Sequence, residues 1–79
     1  MNRIEYAAFG VKYTGENNQF SMKVPIYYQH EYPYFPALVL AFEAVEYEKQ
    51  FFNFQEYFIL QVIDGVMDGQ VYFQKVKNQ

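Results

Sequence analysis

Seventy-nine residues suffice for one domain and one small core, and nine Tyr with nine Phe are more rings than such a core needs. The lack of Cys excludes disulfides, thiol nucleophiles and thiolate metal sites together, and fits a reducing compartment. A formal net charge of −3, with an acidic middle and mildly basic ends, argues against a dominant phosphate-backbone contact, which calls for clustered Lys and Arg.

Residues 3–13 read as a strand. Ile4, Tyr6 and Ala8 share one face, and Phe9, Val11 and Tyr13 share the other. The apolar phase shifts near Ala7–Ala8, which predicts either a bulge or a strand buried on both sides. Residues 15–19 are a polar run of turn formers. Residues 20–29 then alternate cleanly: Phe20, Met22, Val24, Ile26 and Tyr28 on one face, Ser21, Lys23, Pro25, Tyr27 and Gln29 on the other. Pro25 has no N–H to give a ladder, so this strand belongs at an edge or a bulge. The two strands are expected to pair as an antiparallel hairpin.

Residues 30–36 carry Pro33 and Pro36 and read as a stiff connector. Residues 37–50 are rich in helix formers. Leu38, Ala41, Phe42 and Val45 make one apolar stripe at helical spacing, and Leu40, Ala44, Tyr47 and Phe51 a second. Glu43, Glu46 and Gln50 share the polar face. One stripe is expected to cover the sheet and the other to meet a loop or a second subunit. Residues 56–63 are dense in β-formers, and Asp-Gly pairs follow at 64–65 and 68–69, either of which suits a two-residue hairpin turn. Residues 70–77 alternate again. The alternative is a second helix over 54–66, capped by Asn53 with Glu56 and striped by Phe54, Phe58, Val62 and Val66; the β-branched density and the Asp-Gly turns favour the hairpin. The predicted fold is a single α+β domain over residues 1–79, in the order β-β-α-β-β, with one helix on one face of an antiparallel sheet. The other face is expected to carry Tyr and Phe from several strands, with Lys23, Lys12 and Lys75.

Catalytic groups are sparse. There is one His, one Ser, one Thr and one Arg. Ser21 and His30 are nine apart on the predicted second strand and so point to opposite faces. Glu43 and Glu46, three apart on a helix, read as a solvated surface pair. A lone His30 without Cys is a poor basis for a metal site, and Gly65 and Gly69 fit turns better than a phosphate loop. No enzyme, cofactor or metal is expected.

Tyr27, Tyr28, Tyr32, Tyr34 and Phe35 fall within nine residues, and Tyr gives rigid amphipathic contact area at small entropic cost. The alternative places Tyr28 and Phe35 in the core and the others over the helix ends. Acidic charge concentrates at residues 31–69, which hold seven acids and only Lys49. The expectation is a noncatalytic module that occupies a partner protein's surface, for example an inhibitor or adaptor encoded by a phage or mobile element. Its contact residues are expected to be Tyr27, Tyr32, Tyr34, Glu43, Glu46 and Tyr47, against an apolar surface with some positive charge. A homo-oligomer, first of all a dimer, would also absorb the surplus rings. Exposed rings on a sheet can also stack bases or a nucleotide-like ligand, although nucleic acid is disfavoured by the acidic total. An acid stands in the first five residues, and the longest uncharged run is Tyr32 to Phe42. A spanning helix needs about 20 apolar residues. A cytoplasmic protein without membrane contact is therefore expected.

Overall fold

The computed structural model describes residues 2–26 and 34–76. Strand β1, Ile4–Thr14, turns through a short 3-10 segment at Glu16–Asn18 into β2, Phe20–Ile26. The two pair antiparallel from Ala8 opposite Ile26 to Thr14 opposite Phe20. Helix α1 follows at Leu38–Glu48, then β3 at Glu56–Ile63 and β4 at Val66–Lys75. All strand pairs are antiparallel and the sheet order is β2-β1-β3-β4. The fold is therefore α+β in the expected order of elements. Edge strand β2 holds Pro25, where a missing donor costs the ladder nothing.

Asp64 and Gly65 make the β3–β4 turn, with Ile63 opposite Val66. Their φ values of 50° and 84° match a type I′ turn, whose twist suits a hairpin and which needs positive φ at both central positions. The second pair, Asp68–Gly69, is not a turn. It lies where β4 slips against β3: Ile59 faces Tyr72, Leu60 faces Gln70 and Gln61 faces Asp68. Two extra residues, Gly69 and Val71, are bulged out. This is why β4 starts at Val66 rather than at residue 70, since bulged residues erase the alternation by which a strand is read.

The core lies between α1 and one sheet face. Ala8, Ile26, Phe35, Ala41, Ala44, Val45, Tyr57 and Ile59 form its buried cluster. Three of these are alanines, and small side chains let the helix lie close to β1. Ala37, at the helix N-cap, offers no side-chain hydrogen bond, and the first turn holds no acid. Packing rather than capping therefore holds the helix in place. Past the helix, Phe54 lies over Gly10: a Cβ built there would stand 2.5 Å from the ring's Cδ2. Phe54 in turn meets Tyr57 edge-on, with ring centres 5.7 Å apart.

Four expectations are corrected or resolved. The segment 54–66 is not a helix; β3 occupies most of it and pairs on both sides. The phase shift at Ala7–Ala8 is not a bulge, because β1 pairs without interruption and both alanines are buried, one on each face. Lys12 does not share the outer face, because it pairs with Met22 in the register that carries Ala8 and Ile26 on the helix side. Phe35 is core, and it is pinned to Tyr6 by two backbone hydrogen bonds, Tyr6 N–H to Phe35 O at 2.9 Å and Phe35 N–H to Tyr6 O at 2.7 Å. Phe35–Pro36 is trans, since no described peptide bond is cis; Tyr32–Pro33 lies outside the described residues.

Candidate interaction faces

Residues facing each other across antiparallel strands share a face, so register alone maps the side of the sheet away from α1. Pro25 faces Phe9, Phe9 faces Phe58 and Phe58 faces Phe73. One continuous apolar row thus crosses all four strands. Phe9 and Phe58 stack, with ring centres 5.0 Å apart and planes 18° from parallel. The next row reads Lys23, Val11, Glu56, Lys75. On the other side lie Ala7, Leu60 and Gln70.

The rows floor a shallow concavity of about 610 Å³, whose walls include Tyr13, Ser21, Met67 and Phe73. Phe73 is 48% exposed at the β4 edge, whereas Phe58 is buried, as are Ala7, Val11 and Val62 on the central strands of this face. No described helix or strand packs on this face; α1 contacts the sheet from the other side. Glu5, at the far end of the same face, is buried, with its Oε2 3.5 Å from the Arg3 guanidinium.

Two polar groups edge the concavity. The Tyr13 hydroxyl donates to Glu56 Oε2 at 3.0 Å. That hydrogen bond, then burial, then the carboxylate's negative charge hold the Tyr13 phenol above its ordinary value of 10.0. The folded chain therefore keeps this proton longer than the unfolded chain. Its stabilising contribution is complete below pH about 10 and is lost as pH rises through the raised folded value. Glu56→Gln is expected to bring the phenol back toward its ordinary range, read as the difference in ultraviolet phenolate titration between chains with and without Tyr13→Phe. An unchanged titration would mean that the carboxylate does not act on this ring.

The outward side of α1 is a second exposed surface. Val39 and Phe51 are 60% and 62% exposed, and Leu40 and Tyr47 are also exposed. The rings of Tyr47 and Phe51 lie 5.0 Å apart. Of the two predicted stripes, the first is drawn to the sheet through Ala41 and Val45, while the second reaches the core only through Ala44. Glu46 pairs with Lys49 at 3.1 Å, and Lys49 also donates to Gln74 on β4 at 3.2 Å.

Of the predicted contact residues, Glu43, Glu46 and Tyr47 come together, lining a depression of about 420 Å³ with Val39, Phe42 and Gln50. Tyr34 is half-buried beside the Phe35 bridge. Tyr27 and Tyr32 lie outside the described residues, as do Tyr28 and His30. The Phe9–Phe58–Phe73 row was not singled out from sequence. The signal was present in the alternation of each strand, but the register joining them was not.

Among the described residues, no three His, Asp or Glu side chains gather as a metal-holding group, and no helix is long and apolar enough to cross a membrane. No protein-family model, no curated protein and no solved structure matches this chain.

Proposed function

We propose that this domain is a noncatalytic binding module that works by occupying the surface of another protein, an inhibitor or adaptor in kind. The supporting observation is the apolar row from Pro25 through Phe9 and Phe58 to Phe73, set on the sheet face that α1 leaves open. Phe73 stands half exposed on this face, outside the helix-side core. Aromatic anchors at the centre of a contact carry much of the energy of protein association. Glu43, Glu46 and Tyr47 remain in the proposal as a second contact surface for a partner with positive charge, and Tyr27, Tyr32 and Tyr34 as a third.

The test is Phe73→Glu. Exposed substitutions away from special features usually change stability by no more than about 0.5 kcal/mol. The melting temperature should therefore stay within a few degrees of the parent. Truncating an anchor typically costs about 2 kcal/mol or more of binding, roughly a thirtyfold loss of affinity. A stoichiometric partner recovered by the parent chain should therefore be lost by the variant. Recovery of the same partner at equal yield by Phe73→Glu would sink the proposal.

A second reading is favoured by one observation: the stacked Phe9–Phe58 pair floors a concavity that also holds Lys23. Such a site suits a planar anionic ligand, a nucleotide or single-stranded nucleic acid, with its base on the rings. It predicts a nucleobase absorbance that travels with the purified chain, conspicuous because the sequence has no Trp.

A further inference from the structure

We infer that the open sheet face of one copy receives the outward flank of α1 from a second copy. This rests on the reading of that face as a protein-binding surface, and names its occupant. Helix on sheet is the packing this chain already uses once, with Ala41, Ala44 and Val45 set against Ala8, Tyr57 and Ile59. Each molecule then presents both halves of the same arrangement a second time. One half is the row Phe9, Phe58, Phe73 on the face away from α1, where Phe58 is buried, Phe9 half-buried and Phe73 exposed. The other is the exposed apolar flank of Val39 and Leu40 along the helix, with Phe51 just past its end.

Size and charge agree. An eleven-residue helix is about 16 Å long. Three strand spacings separate Lys23 from Lys75, roughly 14 Å, so the helix spans the row it would cover. Lys23 and Lys75 stand at the two ends of the row next to the phenylalanines, with Glu56 between them held by Tyr13. The helix flank instead offers Glu43, and Glu46 paired with Lys49, among its apolar groups, a net negative charge. Basic meets acidic in this arrangement, whereas two open faces set against each other would bring lysines to lysines.

The two surfaces lie on opposite sides of the molecule, because α1 packs its inner side on the far face of the sheet. The contact is therefore head-to-tail. A copy that gives its helix keeps its own sheet face free, and association continues into a chain or closes into a ring.

The experiment is sedimentation velocity of the full chain across a range of concentrations, with two charge-reversed variants, Lys23→Glu with Lys75→Glu and Glu43→Lys with Glu46→Lys. The parent should form assemblies that grow with concentration and shrink with added salt. Each variant alone should need at least about tenfold more protein to assemble, since its two surfaces now carry like charge. Mixed, they should regain growth as alternating copies, because the basic sheet of the helix-reversed copy matches the acidic helix of the sheet-reversed copy, and the reversed sheet of the second matches the reversed helix of the first. The chain with all four reversals should regain growth. Lys75→Glu sets an acid opposite Glu56, so folding of every variant is checked by circular dichroism, and Phe73→Asn serves as a charge-neutral second variant that should also stay monomeric.

A parent chain that remains monomeric throughout would overturn the inference while leaving the binding-module reading intact, with a foreign protein as occupant. Assembly unaffected by Phe73→Asn and by both charge reversals would overturn the inference and the assignment of the open face together. A closed dimer lost in the sheet variants but unchanged in the helix variant would replace the helix-on-sheet contact by a face-to-face one. Nucleobase absorbance sedimenting with the chain would replace it by the planar-ligand reading.

Discussion

Tyr57→Ala is expected to cost about 3–5 kcal/mol, the range for removing a buried aromatic side chain. A domain of this length has a total stability of about 4–12 kcal/mol, so a large share of its stability should be lost. Tyr57 is 1% exposed and belongs to the buried cluster under α1. Its ring is the edge-on partner of Phe54, and its hydroxyl donates to the Phe52 carbonyl at 3.3 Å. Burial pushes this phenol's pKa up, with the backbone at Phe54 pulling it down and Glu48 and Glu46 adding to the rise. Tyr57→Phe separates the two contributions, since it removes one hydrogen bond and should cost only about 1 kcal/mol. Urea unfolding of the three chains measures both differences. A loss below about 1 kcal/mol for Tyr57→Ala would mean that the core does not depend on this ring, contrary to its position.

Gly10→Ala should destabilise the chain by about 1–3 kcal/mol, as overpacking does, and the sign should reverse once Phe54 is trimmed. Alanine within a strand is ordinarily favoured over glycine, by about 0.5–1 kcal/mol. Here the added methyl would sit 2.5 to 2.9 Å from three atoms of the Phe54 ring. Such a gap requires the ring to leave its place, and the ring is in edge contact with Tyr57 and 6.0 Å from the Phe52 ring. In a Phe54→Ala background the methyl has room, so adding Gly10→Ala there should be neutral or stabilising. A double-mutant cycle gives the coupling directly. Additive costs would show that the glycine answers to something other than this ring.

Much of the fold is legible along the chain because it rests on local chemistry. The alternation of residues 20–26, the helix formers of 38–48 and the β-formers of 56–63 each fix an element without reference to the others. Asp64–Gly65 fixes the turn for a backbone reason, since both positions need positive φ. The surfaces were less legible because register is not local. Counting back from the Asp64–Gly65 turn sets Val71 opposite Phe58. The two residues bulged at Gly69 and Val71 move Phe73 there instead, and only with that shift does the row of three rings close. Two bulges, unlike one, also restore the face on which Phe73 and Lys75 stand.

The helix shows a similar division. Two apolar stripes were plain from spacing, but their rank was not. Sheet contact went to the first stripe through Ala41 and Val45, Ala44 of the second completes the fully buried set, and the bulkier Leu40, Tyr47 and Phe51 of that second stripe were left outside. The contact set inferred from Tyr density split for the same reason: Glu43, Glu46 and Tyr47 share a helix, whereas Tyr34 is placed by the backbone bridge of its neighbour Phe35 to Tyr6, which no composition announces.

The sheet order has a consequence for the sequence of events during synthesis. Central strand β1 leaves the ribosome first, yet one of its two neighbours, β3, begins only at Glu56. Until then the β1–β2 hairpin carries a bare inner edge, and α1, although already made, lacks Tyr57 and Ile59 of β3 that complete the core under it; a two-stranded hairpin is marginal at best in water. Stable structure must therefore wait for the second half of the chain, and Arg3 and Asp64 join ends that were made far apart in time. A nascent chain halted before β3 should expose the strand edge that recruits chaperones or other unfinished copies.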